Sequence, residues 1–300
     1  KAAVKLSAEF FLDLEKQLYK LKGLNSDLTI SGKPIGGNSL SLSTKADVEA
    51  DLGNQQATLN NLSLSIANLN ATGQVNVKDF AKPVISGNLS VASFDLNQLL
   101  KAVGQPAIET TDKSVLKAIS FNTELGGPAN TVTAKKLSMQ LDDTKFNGSA
   151  AFNLSNGAIT LNLQGDKLNA DRYMPPATET KEQASTGKTQ QGYSKEPVIP
   201  VDALKGLELD STLGLKSLHV SNMDVSNIVL QVNAHGGLIK IPKINADLYS
   251  GTVRNNVTLD VRKKTPVMRS QKTVSGIQIG DLLKAAADVD QLTGTLNSKS

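Results

Sequence analysis

Few residues in this chain could perform covalent or metal chemistry. Its two histidines, His219 and His235, stand in separate strand-like runs. A metal site needs its ligands clustered, so this pair predicts no metal centre. Cysteine is absent, which removes disulfides, thiolate ligands and a cysteine nucleophile. Ser185-Thr186-Gly187-Lys188-Thr189 looks like the end of a phosphate-binding loop, but the pattern requires glycine where Glu182 stands. No apolar strand leads into it either. Arg262-Lys263-Lys264 reads as a solvated hairpin tip. No carboxylate pair or nucleophile–base set can be assembled with specificity, so the reading is that of a non-enzyme without cofactors. The net charge of +4 is spread along the chain and aromatics make up only 4%. Nucleic-acid binders concentrate basic residues beside stacking aromatics, which excludes that partner.

What remains is aliphatic, and its spacing points to non-covalent burial of hydrocarbon. Taking Leu62, Leu137 and Ile244 as equivalent, alternating residues follow in step: Leu62, Leu64, Ile66; Leu137, Met139, Leu141; Ile244, Ala246, Leu248. Eleven residues after each reference stands Gly73, Gly148 or Asn255, types that suit turns and bulges. Beyond them come Val75, Ala150 and Val257, then Val77, Phe152 and Leu259. Each copy ends on a short helical punctuation: Phe94-Asp95-Leu96-Asn97-Gln98-Leu99-Leu100, Leu168-Asn169-Ala170-Asp171-Arg172-Tyr173-Met174, and Ile277-Gln278-Ile279-Gly280-Asp281-Leu282-Leu283. Asp or Asn at the start of such a turn can cap its free amides. Three copies holding one register constitute a repeat.

The elements that must position these residues are strands. Phe10, Phe11, Leu14, Leu18 and Leu21 have helical spacing, but the stretch repeats at Ala46 to Ile66, where Asn, Thr, Ser and Gly alternate with apolar residues. Both copies therefore predict β-hairpins, turning near Glu15-Lys16-Gln17 and Gly53-Asn54-Gln55. Lys101 to Lys117 predicts a helical turn and a connection, and strands resume at Ile119 and continue to Leu168. After Pro200, strands are expected over Leu207–Leu215, Leu218–Val220, Ile228–Ala234, Leu238–Ile241, Ile244–Tyr249 and Val257–Val261. Between the two sets, 177–199 is polar and predicts a mobile insert. The expected organisation is a first segment over 1–176, this insert, and a second segment over 200–300.

The fold class expected is all-β: an elongated, curled antiparallel sheet of repeated hairpins forming an open hydrophobic groove, with short helical turns between repeats. Strict alternation gives one apolar and one polar face, and no long helix is available as a lid. Besides the repeat positions Leu62, Leu64, Ile66, Val75, Val77, Leu137, Met139, Leu141, Phe152, Ile244, Leu248, Val257 and Leu259, the lining is expected to include Leu89, Val91, Leu161, Leu163, Leu213, Leu215, Leu230 and Val232. Such a groove would bind acyl chains by excluding water, at about 0.8 kcal/mol per buried CH₂. No run reaches the ~20 apolar residues that span a bilayer. The sequence opens on Lys1, so it is expected to be part of a longer chain, with the array continuing past Ser300.

With the punctuation motifs above and Ala246-Asp247-Leu248-Tyr249-Ser250-Gly251-Thr252-Val253, the chain resembles the AsmA family of bacterial envelope proteins. The resemblance covers most of the chain and is strongest from Leu207 to Leu296. It implies an inner-membrane-anchored protein with its bulk in the periplasm. It also implies phospholipids, both membranes and envelope proteins as partners, since the family resembles bridge-like lipid transfer proteins. The family's N-terminal membrane helix is absent from the sequence, and its glycine pair after tyrosine is Ser250-Gly251. Two other classes are weighed against a lipid groove: an assembly factor offering sheet edges to outer-membrane proteins, and a secreted β-solenoid adhesin. The long register with helical punctuation fits the solenoid poorly.

Overall fold

Alternating aliphatic and polar residues need a pleated backbone to sort them onto two faces, and the computed structural model has that backbone almost throughout. It describes residues 2–176, 201–263, 265–287, 289 and 291–300. The insert expected over 177–199 lies outside the described residues, as does Lys264 of the basic turn.

The strands are β1 (Ala2–Asp13), β2 (Leu18–Ser31), β3 (Ser39–Asp51), β4 (Gln56–Ile66), β5 (Leu69–Lys78) and β6 (Val84–Phe94). Helix α1 (Leu96–Ala102) precedes β7 (Ile119–Pro128), β8 (Thr131–Leu141), β9 (Thr144–Asn153) and β10 (Ile159–Asn169), and a 3₁₀ turn (Ala170–Tyr173) closes β10. Then come α2 (Val201–Lys205), β11 (Leu209–Val220), β12 (Met223–His235), β13 (Leu238–Leu248), β14 (Gly251–Asp260), β15 (Val267–Gln278), α3 (Ile279–Ala287) and β16 (Thr295–Lys299). All belong to one 16-stranded sheet, ordered as in the sequence. The sheet does not close on itself, since β1 and β16 are its two edges. At ~4.8 Å per strand the array is about 70 Å long.

The hairpins at 14–17 and 52–55 turn where expected, and the amino-terminal stretch is strand rather than helix. The expected caps form: the Asp95 carboxylate accepts from the Gln98 amide at 2.9 Å, and the Asn169 side chain from the Asp171 amide at 3.1 Å. In a meander the turns alternate between two rims. We call the rim where β1 begins upper and the opposite one lower. The three punctuations α1, 170–173 and α3 all fall on the upper rim.

Three features differ from the strand pattern. β10 and β11 pair in parallel, Ile159 opposite Leu209 through Asn169 opposite His219, so β11 re-enters from the lower rim. Period-two alternation is the same in either direction and carries no sign of this junction. Second, residues 201–205 are helical, and the following strand starts at Leu209, two residues later than expected. Third, β11 and β13 run through the breaks expected at 216–217 and 242–243.

The break in β13 is a bulge, and it recurs. The register shifts between Leu59 and Leu62, between Ala134 and Leu137, and between Ile241 and Ile244, just before the reference residue of each repeat. Opposite those reference residues stand Gly73, Gly148 and Asn255. A Cβ on Gly148 would run into the carbonyl oxygen of Asn162 on β10, so this close approach needs glycine. Bulges bend a strand and add twist, and repeated at one height they curl the sheet. Two segments at the upper rim also reach back across the sheet. α3, which follows β15, touches β12 three strands back. At the upper rim the backbone of Gly104, after α1, lies against Ile35 and Gly36 between β2 and β3.

Candidate functional site

The ladder pairings place every expected lining residue on a single face. One unbroken row runs Leu64, Ala71, Val91, Phe121, Met139, Phe146, Gly165, Leu215, Ile228. A second holds Leu137, Gly148, Leu163, Leu213, Leu230 and Ile244, and the register sets Leu62 opposite Gly73 and then Leu89 in the same position on the earlier strands. Val75 and, through Ala150, Leu161 and Val232 form a third height. Val77 with Ala57 and Ile85, and Phe152 with Val132 and Ile159, form a fourth. Leu259 sits opposite Ile239 and Val257 opposite Ile241, while Ile66, Leu141 and Leu248 close the upper ends of β4, β8 and β13.

Val91, Leu163 and Leu215 are buried, Phe152 is exposed, and the other lining residues are half-buried. Leu64, Leu89 and Val91 pack together with Ala71, Phe94, Ile119 and Phe121. Leu137, Met139, Leu141, Leu161, Leu163, Leu213 and Leu215 gather around Phe146. Val232 and Leu259 pack on Ala234, Ile239 and Val261. Leu62, Ile66, Val75, Val77, Phe152, Leu230, Ile244, Leu248 and Val257 lie on the same face outside these three clusters. Phe121, Phe146, Ile228 and Ile239 complete the surface. The sequence reading missed them, although the same alternation marks them.

The extensive strand–strand contacts run between sheet neighbours, and all the strands belong to one sheet, so no second sheet packs on this face among the described residues. The apolar face is therefore a curled, single-layer surface whose side chains shield one another but still meet solvent. Cover comes from short helices. Leu96 and Leu99 of α1 pack on the first cluster near the upper rim, and Val201 and Leu204 of α2 on the third. The opposite face carries hydroxyls, amides and ion pairs, for example Ser90 donating to Asn122 at 2.6 Å and Lys20 beside Glu49 at 2.9 Å.

A polar knot holds the upper rim. The Asp142 carboxylate, 8% exposed, accepts from the amides of Leu116, Lys117 and Ala118 at 2.7, 3.1 and 3.1 Å, and from the Tyr173 hydroxyl at 2.9 Å. Arg172 donates to Asp112 and Asp143, each at 2.7 Å. Hydrogen bonds from Ser114 and then Arg172 hold the Asp112 carboxyl down at about 2. Burial, followed by the Asp142 bond, pushes the Tyr173 hydroxyl up. The knot ties the connection after α1 to the β8–β9 turn and the 170–173 turn, which fixes the rim above the second cluster.

The histidines lie apart. His219 bonds Asp224 at 2.7 Å, and His235 bridges Glu208 and Asp210 at 2.9 and 3.1 Å. No group of three or more potential metal ligands is found among the described residues. Nor is any described helix long and apolar enough to cross a membrane, which says nothing about strands.

A model of the AsmA family matches residues 108–299. Protein AsmA of Escherichia coli (strain K12) is 26% identical over 206 residues, covering 65% of this chain and 31% of that protein. The chain thus spans about a third of the length of that relative. No solved structure matches the chain.

Proposed function

The chain belongs to the AsmA family, and from that premise we propose that it is the periplasmic part of an inner-membrane-anchored protein. In this reading it binds phospholipid acyl chains along the curled apolar face and supports lipid transport to the outer membrane. Family membership supports the envelope role. The observation that carries the lipid reading is the unbroken row from Leu64 to Ile228, in which Leu64, Phe121, Met139 and Ile228 stay half-buried while their neighbours are buried, with no second sheet laid over it among the described residues. Water exclusion favours acyl chains there by about 0.8 kcal/mol per CH₂, and more weakly where the face stays partly wet. The attraction is non-directional, so one stretch of aliphatic side chains holds a methylene as well as the next. A chain can then move along the row without a deep well, while headgroups stay at a rim. None of these steps uses bond-making chemistry.

Native mass spectrometry with lipid extraction, on protein purified from bacterial cells, tests this reading. Co-purifying phospholipid that is displaced by Leu64→Asp or Leu230→Asp supports it. A clean apo mass, with no uptake of fluorescent phospholipid, refutes it. The second reading, an assembly factor that pairs with client strands, draws on edge strand β1, where Leu6, Val4 and Phe10 are 70%, 65% and 64% exposed. Binding of extended client peptides that is lost on Leu6→Pro, with lipid uptake unchanged, would favour it.

A further inference from the structure

The face of β13–β16 opposite the apolar one holds a concavity of about 530 Å³. Its floor is one ladder row, Asn245, Arg254, Thr273, Lys299, with Asn256 and Gln271 in the next row. Two cations, four amides, two hydroxyls (Thr273 and Ser300) and Pro242 line it, and no acidic side chain does so among the described residues. The side chains of Arg254 and Lys299 make no ion pair or hydrogen bond among the described residues. Arg262, by contrast, is held bidentately by Asp260. A second cationic row, Lys240 and Arg269 flanking Thr258, lies toward the lower rim of the same face, and Lys240 and Arg269 are likewise without an acidic partner.

We propose that this concavity is an anion site for a phosphodiester-bearing headgroup. Arg254 would supply the forked donor that phosphate oxygens accept and Lys299 a point charge, while the amides and Thr273 would bond ester or glycerol oxygens. Clustered basic residues raise the local concentration of anions, an effect that salt suppresses. The site faces away from the acyl-binding surface, so it docks the β13–β16 part of the sheet on an anionic membrane surface, independently of acyl uptake.

The test uses the 300-residue chain and three probes: vesicles of phosphatidylcholine alone, vesicles with one-third phosphatidylglycerol, and inorganic phosphate. The expected result is preferential co-sedimentation with the anionic vesicles, weakened by high salt. Each removed cation costs roughly fivefold, so Arg254→Gln with Lys299→Gln lowers binding by about 25-fold. Backbone amide NMR shifts on phosphate addition, centred on Asn245, Arg254 and Thr273, would place the anion in the concavity. Shifts without a vesicle preference would assign the site to a soluble phosphate compound instead. Unchanged vesicle binding in the double variant, with no phosphate shifts at these residues, overturns the proposal. Fluorescent acyl uptake, measured on the same variant, is expected to be unaffected, which separates this site from the groove.

Discussion

Leu64→Asp places a charge against the first apolar cluster, where Leu64 is half-buried and stands opposite Ala71. Full burial of a leucine is worth about 1.5–3 kcal/mol. Half of that sets the folding cost at about 0.75–1.5 kcal/mol, a few degrees in melting temperature for a chain of this size. The effect on an acyl chain is larger. A carboxylate keeps its water, so the three or four methylenes crossing it forgo about 2.4–3.2 kcal/mol, roughly 50- to 200-fold in local occupancy. The readout is lipid-to-protein ratio after purification, together with yield from a photo-crosslinking residue at Leu89, two strands along the same face. Thr72→Asp is the control: Thr72 is exposed on β5 and points to the opposite face, between Ser63 and Ser90. Leu64→Asp should lose the crosslink with its circular dichroism intact, and Thr72→Asp should keep it. Full crosslinking in Leu64→Asp, or equal loss in both variants, would refute the assignment of this face as the lipid surface.

Asp142→Ala strips three amides and a phenol of their acceptor, and urea unfolding should register a loss of about 2–4 kcal/mol, with Asp142→Asn milder. Gly148→Ala meets the Asn162 carbonyl and should destabilise by more than 1 kcal/mol, whereas Gly206→Ala, with nothing within 4 Å, should be near neutral in the same assay. Glu208 first, then Asp210, raise the His235 pKa above its ordinary 6.5. The stability this gives is therefore fully present below pH 6.5 and fades as pH rises through the raised value. His235→Gln should flatten that part of the pH–melting profile, and an unchanged slope would show that His235 does not set it. In the opposite sense, Asp112 is depressed from 3.8 to about 2, so its tie to Arg172 holds above pH 4 and is lost as pH falls through about 2. A ¹³C titration of the Asp112 carboxyl should move back toward its ordinary value in Arg172→Gln.

Much of the architecture was legible because a period of two is a local property. Leu62, Leu64 and Ile66 reach one face of β4 whatever their neighbours are, and Gly73 and Gly148 flagged the bulges because a Cβ does not fit there. The hairpins at 14–17 and 52–55 could be read from their repetition, which outweighed the helical spacing of Phe10, Leu14 and Leu18. Asp95 and Asn169 announced the turns they cap because a capping bond spans only two or three residues. The five residues of α2 left no such trace, being too short for a helical period.

By itself, then, the sequence determined where most strands lie, which face their aliphatic side chains share, and where the repeats are punctuated. Those properties follow from pleat geometry and local hydrogen bonding. The tertiary structure alone decided that β11 joins β10 in parallel, that Arg172 meets Asp112 sixty residues away, and that Arg254 and Lys299 share one concavity. Each of these depends on which distant backbone lies alongside, and alternation within a strand does not specify its partner, its direction or the curl of the finished sheet.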